Sequence, residues 1–377
     1  RRADTQLLQS KEHRMKAAVL RERSAPLVIE DLAIAKPKGR EVLVRVSAVG
    51  LCHSDMHVID GGAPLPLPIV LGHEVAGVVE QVGEDVHRLK PGDHVVVCLA
   101  FHCGHCEQCE SGHSNRCLPP EAMRGENEEP RLRDAAGVAI GQFTDIGGFA
   151  EQVLVHESGC VAIRRDIPFD KAALIGCGVT TGVGAAVRSA QVRPGETVAV
   201  IGCGGVGLSA INGAAIAGAG RIIAIDRLPL KLEMARRFGA TDVVDASAGS
   251  IVEQVKAITG GRGVDHAIEC VGRQDTIEDG FRMLGKGGLA TIVGVTSRHT
   301  KIELSPLLMM LGEKRVQGSY MGGVRTLIDI PRYADLYMQG RLNLDELVSQ
   351  RLTLAQINQG FDDMLKGEVA RSVVVFD

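Results

Sequence analysis

Four cysteines in one short stretch carry the strongest chemical signal in the sequence. They occur in the segment CGHCEQCESGHSNRC, where two CxxC steps precede a fourth thiol, and are Cys103, Cys106, Cys109 and Cys117. A lobe of backbone with this spacing can wrap one tetrahedral Zn²⁺ and leave no ligand position open. The alternatives are a disulfide framework or unrelated reduced thiols, but disulfide frameworks are typical of short secreted chains. The spacing therefore predicts a structural zinc site.

A second set of metal-binding residue types is spread over three segments. Cys52 lies in GLCHSD, His73 in LGHEVAG and Cys177 in IGCGVTTG. Two sulfur ligands and one nitrogen ligand would leave the fourth tetrahedral position for water or substrate, as a catalytic zinc requires. Taken singly, each residue fits a buried thiol or a core histidine equally well, so the residue types alone do not decide between the two interpretations.

A glycine-rich loop follows the apolar run TVAVI and has the form GxGxxG. It comprises Gly202, Cys203, Gly204, Gly205, Val206 and Gly207. Asp226 ends the next apolar run nineteen residues after Gly207, which is the context that a dinucleotide fingerprint requires. The glycines allow a tight turn and let the backbone N–H groups approach the pyrophosphate closely. Asp226 can accept hydrogen bonds from the ribose hydroxyls, and its charge would repel a 2′-phosphate. The sequence thus favours NAD over NADP, with Arg227 the one neighbour that could weaken the preference; a purely structural glycine turn is the alternative.

These residues need two kinds of scaffold. From about Met15 to Val161, short apolar runs alternate with turn signals, which predicts antiparallel β-structure in a barrel. From Thr197, strand, glycine loop and helix patterns repeat, which predicts a parallel sheet with right-handed crossovers. After about Gly318 the chain is expected to be irregular until the apolar strand SVVVF pairs back onto the first domain. The predicted domains are residues 15–178, 179–318 and a return segment, 319–377.

Composition limits the classes of partner. The chain has 377 residues, 45% hydrophobic content, 23% charged content and a net charge of −4, which predicts about two soluble domains. This charge gives no electrostatic reason to bind nucleic acid or an anionic membrane. Interrupted apolar stretches such as LSAINGAAIAGAG predict no bilayer-spanning segment, and a cytoplasmic location is expected. Residues 1–14 precede Met15, are polar, and are expected to be a disordered extension or tag.

Taken together, these motifs resemble the zinc-dependent alcohol dehydrogenases of the medium-chain dehydrogenase/reductase family. The similarity rests on GLCHSDMH, GHEVAGVVEQVG, the four-cysteine lobe, GCGVTTG and VIGCGGVG with Asp226, and it runs in order from Met15 to Asp377. It implies an α/β fold in which a Rossmann doubly wound parallel sheet is inserted in a GroES-like β-barrel catalytic domain. It also implies two zinc ions per subunit, NAD, reversible conversion of an alcohol to an aldehyde or ketone, and a homodimer, with a tetramer as the alternative.

The resemblance assigns roles to further residues. Ser54 and His57 match a proton relay that runs from a hydroxyl through the nicotinamide ribose to an imidazole, although His57 could instead be a solvated loop histidine. Asp55 is expected to orient His73, and Glu74 to lie behind the catalytic metal. The remaining residues are expected to contact the cofactor, and they are His53, Thr181, Lys231, Val271, Val293, Val295, Ser319 and Arg371.

The substrate is the least determined property. Leu99 stands where many relatives carry an aromatic ring, and Ser54 is smaller than Thr, so both favour a wide pocket and bulky or aromatic alcohols. A glutathione-adduct formaldehyde dehydrogenase is disfavoured because Ala63 and Glu121 replace the expected Asp and Arg, although Arg124 is close. Two further alternatives are a nicotinoprotein with permanently bound NAD(H) and an inactive structural relative, against which the retention of all seven ligands argues.

Overall fold

The computed structural model describes residues 13–119, 122–125, 127–367 and 369–377. Most of the predicted N-terminal extension lies outside these residues, but residues 13 and 14 already belong to the first strand. The strands are β1 (His13–Leu20), β2 (Val28–Ile34), β3 (Glu41–Gly50), β4 (Ile69–Val70), β5 (Glu74–Val82), β6 (His94–Val97), β7 (Leu132–Arg133), β8 (Ala139–Gln142), β9 (Gln152–His156), β10 (Cys160–Ala162), β11 (Thr197–Ile201), β12 (Arg221–Asp226), β13 (Asp242–Asp245), β14 (Val264–Glu269), β15 (Leu284–Ile292), β16 (Arg315–Gly318), β17 (Val348–Leu352) and β18 (Arg371–Val375). The helices are α1 (His53–Ile59), α2 (Glu107–Glu110), α3 (Phe169–Leu174), α4 (Thr180–Gly184), α5 (Gly205–Ile216), α6 (Pro229–Arg237), α7 (Ile251–Ile258), α8 (Gln274–Arg282), α9 (Pro306–Gly312), α10 (Thr326–Met338) and α11 (Ile357–Lys366).

The first part of the chain builds the predicted barrel and a sheet beside it. Strands β1, β2, β7, β8 and β4 close on one another, and β10, β6, β5, β3, β18 and β17 form the second sheet, with β9 also paired to β3. The sequence of β3, EVLVRVSAVG, is almost wholly buried because neighbouring strands and helices cover it on both faces. Its C-terminal end leads directly into Cys52, so this sheet fixes the first metal-ligand candidate.

The second part of the chain forms a parallel sheet of six strands. Their order is β13, β12, β11, β14, β15, β16, which in chain order is 3-2-1-4-5-6, the doubly wound arrangement. The order reverses beside β11, whose residues TVAVI are all buried. Ligands of such sheets bind in the crevice at the carboxyl ends of the strands beside this reversal, which is where the glycine loop lies.

A continuous helix, Phe169–Ser189, joins the two parts of the molecule. It comprises α3 and α4 together with two π-helical turns, at Ile175–Val179 and Ala185–Ser189. Contrary to the sequence expectation, this helix of 21 residues is long and apolar enough to span a bilayer. Its apolar window is nevertheless 78% buried inside the protein, so the helix serves as a core element shared by both domains.

The segment after Gly318 is not irregular, and that expectation was wrong. It contains α10 and α11 as well as β17. Helix α10 includes Pro331, which normally argues against a helix interior, but Ile330, Tyr333 and Ala334 are buried and hold it in place. Strand β18 then pairs antiparallel with β3, so the chain returns to the sheet of the first part. The exact domain boundaries stay a prediction.

Candidate metal and dinucleotide site

The three dispersed metal-ligand candidates meet in one buried cluster. Cys52 directly precedes α1, His73 directly precedes β5, and Cys177 lies in the π-helical turn between α3 and α4, a kind of turn that is frequent at functional sites. Their ligand atoms and a carboxylate oxygen of Glu74 all lie within 4.8 Å of one another. The four residues are at most 7% exposed. The fold therefore brings together the three predicted ligands and places Glu74 among them.

Asp55 orients the histidine of this buried cluster. One of its carboxylate oxygens accepts hydrogen bonds from the Gly72 backbone at 2.9 Å and from His73 Nδ1 at 3.2 Å, and the other accepts from the Cys52 backbone at 3.2 Å. Because Nδ1 is engaged, Nε2 is the ring nitrogen left to bind a metal. The Nε2 atom is buried and has no hydrogen-bond partner among the described residues. An orphaned buried nitrogen beside two thiols is what a metal site requires.

Glu74 and Arg371 lie behind the cluster as a buried ion pair. Burial raises the pKa of Glu74 to about 7, while the Arg371 guanidinium, 3.5 Å away, opposes that rise. Arg371 also donates to the Leu51 carbonyl at 3.0 Å, and Gly178 donates its backbone N–H to Glu74 at 3.1 Å. A Cβ at Gly178 would lie 2.5 Å from Arg371 Nη2, so a larger residue there would displace the guanidinium.

The four-cysteine lobe forms a second, more exposed cluster. The Sγ atom of Cys117 lies 3.6 Å from that of Cys103 and 3.7 Å from that of Cys106, and Cys103 lies 3.9 Å from Cys109. Four sulfurs at Zn–S distances of about 2.3 Å in a tetrahedron stand about 3.8 Å apart. Backbone hydrogen bonding from Cys109 lowers the pKa of Cys106 to about 7, which favours the thiolate that binds metal. The lobe therefore fits a closed zinc site.

The glycine loop turns from β11 into α5 as predicted. A Cβ at Gly207 would overlap the carbonyl oxygen of Gly202, so the close packing of helix on strand requires glycine there. Asp226 lies at the end of β12, and its carboxylate accepts the Cys203 backbone N–H at 2.8 Å and that of Leu228 at 3.0 Å. The acidic residue thus stands beside the loop and shapes it.

Lys231 and Arg371, which were predicted to contact the cofactor, both have partners within the protein in this structure. Lys231 donates its ammonium to the Val369 carbonyl at 2.5 Å and is 6% exposed. Arg371 lies against the start of α5, because a Cβ at Gly205 would overlap its Nε atom. Arg371 therefore borders the glycine loop, and the roles of both cations in cofactor binding stay predictions.

The other predicted cofactor residues lie around the crevice. Val293, Val295 and Ser319 line a cavity of about 370 Å³. Thr181, in the helix that carries Cys177, donates to the Met321 sulfur at 3.5 Å. The remaining positions are Val206 in the first turn of α5, Val271 after β14, Arg227 directly after Asp226, and the exposed His53 at the start of α1. Desolvation in the cleft and the charge of Arg371 lower the pKa of His53.

The two relay candidates lie on α1 at different depths. Ser54 is half-buried, and its Oγ is 3.7 Å from the Sγ of Cys52, which places the hydroxyl at the metal cluster. The His57 side chain is 41% exposed, and its Nδ1 is 4.0 Å from Asp60. This arrangement offers one proton-accepting group at the metal and another at the surface.

Comparisons with known proteins agree with this geometry. An alcohol dehydrogenase GroES-like domain matches residues 38–165, and a zinc-binding dehydrogenase domain matches residues 205–337. The chain is 39% identical over 368 residues to a probable S-(hydroxymethyl)glutathione dehydrogenase 1 of Schizosaccharomyces pombe, covering 95% of this chain and 96% of that protein. It is 38% identical over 365 residues to an NDMA-dependent alcohol dehydrogenase of Amycolatopsis methanolica, covering 96% and 98%. The crystal structure of benzyl alcohol dehydrogenase from Acinetobacter calcoaceticus superposes with a TM-score of 0.89 at 33% identity, covering 97% and 100%.

The chain belongs to the zinc-dependent alcohol dehydrogenases of the medium-chain dehydrogenase/reductase family. The Rossmann sheet within a GroES-like catalytic domain is thereby confirmed, and so is the use of zinc and NAD by this family. The donor sets fit the metal, because the buried cluster offers two thiols and an orphaned imidazole nitrogen and the lobe offers four thiols.

Sequence reasoning missed three residues beside the cleft of this dehydrogenase. Asn115 and Arg116, from the four-cysteine lobe, and Tyr320, from the segment after β16, line the same cavity as Val293. Arg116 lies one position before a predicted zinc ligand, Cys117, and this position could have indicated that its side chain lies near the site. Tyr320 gave no local signal, because only the fold brings it to the lobe.

Proposed function

We propose that this zinc- and NAD-dependent alcohol dehydrogenase acts on bulky alcohols, aromatic ones among them. The buried cluster of Cys52, His73 and Cys177 beside the glycine loop carries the proposal that alcohol chemistry occurs here. Leu99 and Ser54 support the wide pocket, since both are smaller than the residues common in relatives. A benzyl alcohol dehydrogenase among the related structures is consistent with an aromatic substrate.

Zinc, when bound, supplies Lewis acidity that lowers the pKa of a substrate alcohol, and NAD accepts the hydride. The chain holds the site dry and oriented. Asp55 fixes the ligating tautomer of His73, and Arg371 balances the Glu74 carboxylate behind it. Ser54 Oγ is placed to take the alcohol proton at the metal cluster, and the half-exposed imidazole of His57 is placed to pass a proton to solvent.

A panel of primary, secondary and benzylic alcohols, followed by the absorbance of NADH, tests the proposal. We expect benzylic and branched alcohols to give a higher kcat/KM than ethanol. Leu99→Phe should narrow the pocket and shift preference towards small alcohols, while Leu99→Ile serves as the volume-matched control. A wild-type preference for ethanol, unchanged by Leu99→Phe, would contradict the wide pocket.

Oxidation of S-(hydroxymethyl)glutathione is the second candidate, because two relatives are named for that activity. The residues argue against it. Ala63 has no charge with which to bind the peptide, and Arg124 is only 7% exposed at its side chain, where it donates to Glu41 from two guanidinium nitrogens, at 2.9 Å and 2.5 Å. Glu121, the other position considered, lies outside the described residues. Direct assay with formaldehyde and glutathione distinguishes this candidate from a benzylic alcohol dehydrogenase.

A third candidate keeps NAD(H) bound through turnover and uses an external carrier, and the name of the NDMA-dependent relative makes it worth testing. Extensive dialysis followed by assay with NDMA alone separates the two cases. Activity that needs added NAD supports the exchanging enzyme, whereas activity with NDMA alone supports the nicotinoprotein.

We also propose that the protein is a homodimer, with a tetramer as the alternative. Within the described part of the chain, β16 pairs only with β15 and leaves the other edge of the sheet open. The adjacent α9 exposes four large apolar side chains, Leu307, Leu308, Met310 and Leu311, at 48–66%. An open edge beside such a face favours pairing with a second copy about a two-fold axis. Light scattering on the wild type and on Leu311→Glu tests this proposal.

The cytoplasmic location is a separate proposal and stays a prediction.

A further inference from the structure

We propose that Arg116 and Tyr320 form a polar wall of the substrate cavity that binds a carboxylate on the alcohol substrate. This inference rests on the proposed alcohol dehydrogenase function and names the substrate class more closely. The substrate it predicts is a bulky alcohol whose far end carries a carboxylate, such as a carboxyl-substituted benzylic alcohol.

The position of the wall supports a role in substrate binding. The cavity of about 370 Å³ is lined by Val293, Val295 and Ser319, which we expect to contact the nicotinamide, and also by Arg116 and Tyr320. Its volume lies in the range of about 300–1,000 Å³ that small-molecule pockets occupy. A molecule that extends from the expected nicotinamide contacts towards the four-cysteine lobe would therefore meet these two side chains.

Charge in the cavity favours an anion. Among its lining residues that the structure describes, Arg116 carries the only formal charge. No ion pair or side-chain hydrogen bond engages its guanidinium within the described residues, and the residue is exposed. A guanidinium presents paired N–H donors that match a carboxylate, and such charge-assisted hydrogen bonds are stronger than neutral ones.

Asn115 holds the two parts of the wall together. Its Nδ2 donates to the Tyr320 carbonyl at 2.9 Å, which ties the four-cysteine lobe to the segment after β16. Asn115 is 5% exposed, and its Oδ1 is buried without a partner among the described residues. The backbone N–H of Arg116 also donates to His113 within the lobe at 2.9 Å. Arg116 therefore starts from a fixed backbone directly beside Tyr320.

Tyr320 can supply a second donor to the same carboxylate. The residue is 59% exposed, yet desolvation raises the pKa of its phenol, as expected of a side chain in a concave cleft. Coulombic interaction with Cys98 and Cys177 acts in the same direction, so the phenol lies within electrostatic range of one metal-ligand candidate, Cys177. The phenol therefore stays protonated at neutral pH and donates.

The test uses a matched pair of substrates, 4-(hydroxymethyl)benzoate and its neutral methyl ester, with benzyl alcohol as the reference. We expect the wild-type enzyme to prefer the carboxylate over the ester. Arg116→Gln should lower kcat/KM for the carboxylate by about 10-fold or more and change the value for benzyl alcohol by less than about 2-fold. Tyr320→Phe should reduce the same preference less, and Arg116→Lys should retain part of it.

Controls separate recognition from structure. Arg236→Gln removes an exposed charge from α6 and should leave all three substrates unchanged. Zinc content is measured for each variant, because Arg116 could instead balance the charge of the neighbouring thiolates. Equal losses on the carboxylate and on benzyl alcohol, or loss of zinc in both Arg116→Gln and Arg116→Lys, would overturn the proposal.

The outcomes also separate this inference from the proposed function. If the wild type oxidises benzyl alcohol but shows no preference for the carboxylate over its ester, the wall proposal fails and the dehydrogenase function stands. If the zinc-loaded protein oxidises none of the alcohols, the proposed function itself fails. Turnover of S-(hydroxymethyl)glutathione that falls in Arg116→Gln would support the carboxylate wall and identify a peptide as the source of the carboxylate.

Discussion

The two cysteine clusters of this molecule are built in opposite ways. The lobe takes four like ligands from one short stretch of chain and leaves three of them partly exposed. The buried cluster takes Cys52, His73 and Cys177 from three distant segments and adds the carboxylate of Glu74. A set of four thiols satisfies zinc completely, whereas two thiols and an imidazole leave a position for substrate. Local ligands therefore suit a structural site, and ligands from separate elements suit a chemical one.

Removing one thiol from each cluster tests most strongly whether one cluster is chemical and the other structural. Cys177→Ser should lower kcat by about 1,000-fold or more, because the open metal site performs the chemistry, and it should leave the thermal unfolding midpoint nearly unchanged. Cys106→Ser should lower that midpoint first, because a structural zinc contributes to folding free energy. Activity per folded molecule and thermal unfolding are measured for both variants.

Equal loss of stability in the two variants would remove the distinction between a chemical and a structural site. The matching control is Cys160→Ser, a buried thiol that belongs to neither cluster. Its effect on stability measures the cost of placing a hydroxyl in the core without any change in metal binding.

A second prediction asks whether the glycine loop selects NAD through charge. Asp226→Ser should weaken the use of NAD and improve that of NADP, each by about 1.5–3 kcal/mol, because a charge-assisted hydrogen bond and a repulsion are lost together. Asp226→Asn is the control, since it removes the charge but keeps one acceptor oxygen for the two backbone amides that Asp226 binds. Kinetic constants with both cofactors are the measurement, and a wild-type preference for NADP would show that Asp226 has another role.

The contrast between the clusters also explains what could be predicted from sequence. The lobe and the glycine loop are local patterns, so spacing alone indicated them. The buried cluster was predicted through family resemblance, because no spacing rule joins residues 52, 73 and 177. Two contacts depend on the folded arrangement, and no local sequence pattern indicates them. They are the ion pair of Arg371 with Glu74 and the hydrogen bond of Asn115 to Tyr320. The segment that holds α10 was expected to be irregular; Pro331 within it disfavours a helix interior, and buried neighbours override that preference.

The smallest predicted effect concerns the relay on α1. His57→Gln should slow alcohol oxidation by about 10-fold below pH 8, since a general base typically contributes at least that much and hydroxide is scarce there. Metal content and NAD affinity should stay unchanged, because His57 lies at the surface and outside both clusters. Added imidazole should restore part of the rate. A wild-type pH profile in this variant would assign His57 to a solvated loop and the proton to another route.

The central claim is that one cluster is open and the other closed, and zinc release tests it most directly. Elemental analysis should give two zinc ions per subunit. Under a mild chelator, one ion should leave first and take the activity with it while circular dichroism stays native, and the second should leave only as the protein unfolds. A single zinc per subunit, or release of both ions together with unfolding, would contradict the account.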